Sequence, residues 1–71
     1  MEASLKQLAS RRRVNRITRR EIQRRLERSY SWVRCLEEGI YNGPCVSYWR
    51  DLYENALLTA INEKKAKENA G

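Results

Sequence analysis

The sequence predicts an all-α domain of about four to five helices, the last of them long. Three observations predict it. Apolar residues recur three and four positions apart in each segment between turns, the spacing of one helix face. Helix-boundary signals stand at Ser4, Thr18, Gly39 and Pro44 and divide the chain. No stretch makes a convincing strand, and there is no repeat or internal linker. With 71 residues the chain is a single domain, 1–71, with room for only a small core.

The first helix is predicted over about residues 4–13, where Leu5, Leu8 and Ala9 share a face and Ser4 with Gln7 can form a capping box. Asn15 is a turn residue that ends it. The second helix is short, about residues 19–27. Thr18 and Glu21 make a second capping box, and Ile22 and Leu26 face inward. Arg19, Arg20, Arg24 and Arg25 stay outside. Ser29 caps a third helix, "YSWVRCLEE", with Val33 and Leu36 on one side and Tyr30, Ser31, Arg34 and Cys35 on or near the other. Gly39 takes the left-handed conformation past its end.

Pro44 is expected in the first turn of the next helix. From there Trp49, Leu52, Tyr53, Ala56, Leu57, Ala60 and Ile61 form an apolar stripe at helical spacing. It reads as one helix over about residues 45–65, or as two with a bend near Glu54 and Asn55. Leu58 falls opposite the stripe. The polar tail, about residues 62–71, is expected to fray.

The net charge of +6 is unevenly placed. Residues 1–34 hold eleven Lys/Arg against three Glu, and residues 35–71 hold four Lys/Arg against six Asp/Glu. Nine arginines fall between Arg11 and Arg28. A field of this sign suits a polyanion, and the planar guanidinium suits phosphate. No apolar run approaches the roughly 20 residues of a membrane span. The first residues lack a basic start followed by an apolar stretch, so no secretory signal is expected and the expected setting is cytoplasmic. Cys35 and Cys45, in a chain without His, complete no metal site and are expected as reduced apolar fillers. No cofactor, metal or catalytic group is expected. There is no phosphate loop and no nucleophile with a base, and the adjacent Glu37 and Glu38 point about 100° apart as a helix end that balances arginines. Trp32 is expected as a packing residue, with Trp49, Leu52 and Tyr53 in the core.

The second and third helices are separated by only about three residues, which forces a sharp angle between them and makes a helix-turn-helix. The stretch "ITRREIQRRLERSYSWVRCLEEGIYNGP", Ile17 to Pro44, resembles the Cro and lambda-repressor (Xre-like) type of helix-turn-helix domain. The resemblance rests on Thr18 and Ser29 as caps, on Val33 within the third helix, on Leu36-Glu37-Glu38-Gly39 at its end, and on Asn42 near Pro44. It departs from the family at three places. Gln23 stands where a small residue is usual, Glu27 where Gly is frequent, and Arg28 where an aliphatic is frequent. Either the turn is looser, or Gln23 and Arg28 lay their stems across the crossing and send their polar ends outward.

The resemblance implies a sequence-specific binder of double-stranded DNA, a repressor-like transcriptional regulator of phage or mobile-element type. Its third helix would lie in the major groove and its second would cross the backbone. Tyr30, Ser31, Arg34 and Cys35 would then face bases, with Arg34 suited to guanine. Arg16, Arg19, Arg20, Ser29, Tyr41 and Asn42 would face phosphates, and Arg11 to Arg13 could reach flanking ones. A homodimer is expected, with Leu57, Leu58 and Ile61 as its surface. Two alternatives stand beside this reading. One is a helix-turn-helix protein acting through a protein partner, as an antitoxin, anti-repressor or inhibitor. The other is a basic protein that binds nucleic acid without sequence preference.

Overall fold

Short-range chemistry sets where the first three helices begin. In the computed structural model, which describes residues 3–70, α1 (Leu5–Val14), α2 (Arg19–Leu26) and α3 (Tyr30–Glu38) each follow a capping hydroxyl. Ser4 Oγ accepts from Gln7 N at 3.2 Å and Gln7 Oε1 accepts from Ser4 N at 2.8 Å, the full reciprocal box. Thr18 Oγ1 accepts from Glu21 N at 3.2 Å, but the Glu21 carboxylate turns to Arg25 instead, at 3.1 Å. Half of the expected box is therefore present. Ser29 Oγ accepts from Trp32 N at 3.1 Å.

The three helices end alike. Each stops at a left-handed residue, Arg16 (φ 59°), Glu27 (φ 57°) and Gly39 (φ 77°), and the following N–H returns to a carbonyl five residues back. Only Gly39 adopts this conformation freely. For a residue with a Cβ it costs about 1–2 kcal/mol.

The fourth helix, α4 (Val46–Ala70), departs from expectation in two ways. Pro44 lies before it rather than in its first turn. Cys45, exposed and at φ 61°, swings the chain into the helix, and its carbonyl accepts from Trp49 N at 3.1 Å. Cys45 is thus no apolar filler, while Cys35 is half-buried. Of the two readings left open for this segment, one helix or two with a bend near Glu54 and Asn55, the single helix is the one present, and its apolar stripe runs through Asn55 unbroken. Secondly, the tail is helical where a frayed end was expected. The helix carries on to Ala70, and Gly71 lies outside the described residues.

All described helices share one core. α1 and α2 pack on α4, and α3 packs on α1 and α2. Leu8, Ile17, Ile22, Val33 and Leu36 meet Tyr53, Ala56, Leu57, Ala60 and Ile61 of α4. The inward faces expected from spacing are inward, except that Leu52, expected in the core, is only half-buried and lines an open cleft beside Trp49; Leu26 and Trp49 pack at the margin. Leu57 and Ile61 are spent inside this core, at 0% and 9% exposure, and only Leu58 faces out, at 42%. The expected dimer surface of Leu57, Leu58 and Ile61 is not a surface of this fold: positions 57 and 61 share a face, and 58 lies about 100° away.

The α2–α3 turn resolves the departures at Gln23, Glu27 and Arg28. Gln23 is half-buried, and its carbonyl accepts from Arg28 N at 3.2 Å. The Arg28 guanidinium lies over the rings of Trp32 and Trp49, 5.3 and 4.6 Å from their centroids. Trp32 itself packs edge-on against Trp49 and Tyr41. A cation on two indoles takes the place of an aliphatic contact, and such pairs contribute about 0.5–1 kcal/mol each at exposed sites.

Candidate nucleic-acid interface

The orientation of α3 is held from behind by a buried carboxylate. Glu37 belongs to the inward face of α3, one residue past Leu36, and its side chain is 1% exposed. Four donors converge on it. Arg12 Nε and Nη2 take its two oxygens at 2.8 and 3.1 Å, Arg19 Nε donates at 3.0 Å, and the Tyr53 hydroxyl donates to Oε2. Arg12 also donates to the Ile17 carbonyl at 3.0 Å. Side chains of all four helices thus meet at one carboxylate whose acceptor sites are filled.

Burial by itself would push the Glu37 carboxyl up. Hydrogen bonds from Arg12, Tyr53 and Arg19, with the charge of Arg12, outweigh it and hold the group below the usual carboxylate range. Burial and the facing carboxylate together push the Tyr53 hydroxyl far up, so it stays a donor. Glu37 was expected to balance arginines at a helix end. It does so in the interior, as the centre of the packing.

The outward face of α3 presents Tyr30, Ser31 and Arg34, with Cys35 half-buried beside them. Arg34 Nε pairs with Glu38 at 2.6 Å, while its two Nη groups have no partner among the described residues. That is the half of a guanidinium that donates in parallel to two acceptors. Tyr30 is 44% exposed, and Arg19 lies over its ring at 5.3 Å and donates to its hydroxyl at 3.2 Å.

Arg19 is therefore not the free phosphate ligand expected at the start of α2. Two of its three nitrogens are engaged, which ties Tyr30 to the buried carboxylate. Tyr41 is likewise taken up by the fold: its ring packs on Trp32 and its hydroxyl donates to the Pro44 carbonyl at 2.8 Å. Ser29 Oγ accepts from the α3 backbone and keeps a proton to donate. Arg16, Arg20 and Asn42 are exposed.

Arginines that make no ion pair among the described residues include Arg11, Arg13, Arg16, Arg20 and Arg24. Arg20 and Arg24 line a cleft with Gln23 and Tyr30, so unspent cations of α2 stand beside the first residue of α3. Arg24 was missed as a site candidate. The i, i+4 spacing from Arg20 was the signal that the two share a face. The first turn of α2 carries its backbone N–H groups in the same quarter, where a helix terminus favours an anion. Among the described residues no helix is long and apolar enough to cross a membrane.

Together these features define, among the described residues, an all-α fold of four helices with a long last helix and a basic face beside an anchored third helix. Comparison with family models, with curated proteins and with solved structures yields no match.

Proposed function

We propose that this chain binds double-stranded DNA in a sequence-specific way, with α3 in the major groove, and acts as a repressor-like regulator of the Cro and lambda-repressor type. One observation carries the reading. α3 is fixed on its inner side by Val33, Leu36 and the fully bonded Glu37, while its outer side offers Tyr30, Ser31 and the two unpartnered Nη groups of Arg34. A rigid helix with an open guanidinium suits readout of base edges, where a bidentate contact to guanine discriminates by about 1–3 kcal/mol. Arg20 and Arg24 beside it suit the flanking phosphates, which position the helix without reading sequence.

Selection of random duplexes on the protein at about 150 mM salt, followed by sequencing, tests this, because non-specific binding is weakened at that ionic strength. A recovered motif supports the proposal. An inverted repeat with half-sites about 34 Å apart would add that two copies bind together. Arg34→Ala should relax preference at one base pair and leave helicity unchanged. Recovery of no motif from wild-type protein would refute sequence-specific binding.

A further inference from the structure

The end of α4 brings positive charge to a place that the sequence alone does not show. Beyond Ile61 the helix continues with residues 62–69 exposed except for the half-buried Lys64. Lys64 Nζ donates to the Asn15 carbonyl at 2.9 Å, which ties this stretch to the connection between α1 and α2. Two shallow concavities meet there. Arg16 and Lys64 line both, Lys65 and Glu68 line one, and Lys67, Glu21 and Glu63 line the other. Glu21 and Glu63 are both engaged by Arg25, at 3.1 and 2.9 Å. Counting Arg25, five cations face three carboxylates, and Arg16, Lys65 and Lys67 make no ion pair among the described residues.

The position of this band matters as much as its sign. Arg16 stands two residues before Thr18, the cap of α2, so the band adjoins the helix start where Arg20 makes no ion pair among the described residues. Lys65 and Lys67 leave α4 about 200° apart and reach to either side of Arg16 and Lys64. Five cations about three carboxylates, of which Arg25 holds Glu21 and Glu63 while Glu68 stands beside Lys65, leave an excess of positive charge that suits a polyanion.

We propose that the last turns of α4 form a second phosphate-binding surface, in which Lys65, Lys67 and Arg16 hold the duplex backbone outside the segment that α3 reads. This rests on the DNA-binding reading of α3 and extends its footprint. The lysines supply affinity and carry no sequence information.

The test is the salt dependence of binding by Lys65→Gln/Lys67→Gln protein to two duplexes. One is trimmed to the selected site, and the other is lengthened by about one helical turn at each end, roughly 10 base pairs. Each lost phosphate contact lowers the log–log slope by about 0.9. On the long duplex the slope should fall by about two. On the trimmed duplex it should stay unchanged, and Lys65→Arg/Lys67→Arg should restore it. Both positions are exposed, so far-ultraviolet circular dichroism should match wild type. An unchanged slope on the long duplex, with wild-type protein binding normally, overturns the inference and leaves the role of α3 standing. Wild-type protein that binds neither duplex overturns both.

Discussion

Replacing Glu37 by Gln removes one charge and almost nothing else, and the consequence can be worked from the geometry. The carboxylate oxygens accept from Arg12 Nε, Arg12 Nη2, Arg19 Nε and the Tyr53 hydroxyl. A Gln amide in either orientation turns its NH2 toward donors, so at least one oxygen's worth of hydrogen bonds becomes N–H against N–H. Arg12, with a side chain 8% exposed, then keeps its charge without a counter-ion. Breaking a buried pair by removing one partner costs about 3–5 kcal/mol. A chain of 71 residues has roughly 4–11 kcal/mol to lose, at about 0.05–0.15 kcal/mol per residue. The thermal midpoint should drop by about 12 °C or more, at roughly 4–8 °C per kcal/mol for a domain of this size.

Urea and thermal unfolding followed at 222 nm give the number. The triple variant Arg12→Met/Glu37→Leu/Tyr53→Phe should recover most of the loss, since apolar groups of similar volume avoid the desolvation of the charges. A Glu37→Gln protein within about 1 kcal/mol of wild type would refute the reasoning, because only a solvent-screened pair is worth so little.

The Glu37 carboxyl is held low in the folded state, so its stabilisation is present above the unfolded value of about 4.3 and is lost as pH falls through the lower folded one. The urea midpoint should be flat from about pH 5 to 8 and fall in acid below about pH 4; a midpoint that rises on acidification would contradict this. Glu27→Gly should raise the urea midpoint by up to about 1 kcal/mol of stability, since Glu27 sits at φ 57°. Leu57→Ala should cost about 2–5 kcal/mol, while Leu58→Ala, at a position 42% exposed, should cost well under half of that by the same unfolding assay. Equal costs at the two positions would mean that α4 is rotated from the orientation described.

Much of this molecule was legible because its causes are local. Ser4, Thr18 and Ser29 cap by reaching three residues ahead, and Gly39 ends α3 by its own conformational freedom. The inward faces of Ile22, Val33, Leu36 and the stripe from Trp49 to Ile61 follow from the helical period alone. The uneven charge is a property of composition. Even the buried network left a trace: Arg12 continues the stripe of Leu5, Leu8 and Ala9, and Glu37 continues that of Val33. Each of these polar residues stands at an inward position of its helix.

A polar residue on an inward stripe, however, reads equally as the stripe's end, and only a partner on another helix distinguishes the two. Arg12 and Glu37 are 25 residues apart, and Tyr53 lies 16 beyond Glu37. Neither charge is tolerable in the interior without the other, so their burial is a property of the pair and of the packing that joins them. The same holds for Arg28, whose place over two indoles depends on α4 arriving beside the turn. It holds for Lys64, whose bond to Asn15 spans 49 residues and anchors a tail that composition alone marks as frayed. Spacing and capping therefore determined the helices and their faces. Tertiary structure decided which charges were drawn inside, because desolvation is repaid only where a partner from elsewhere in the chain completes the hydrogen bonds.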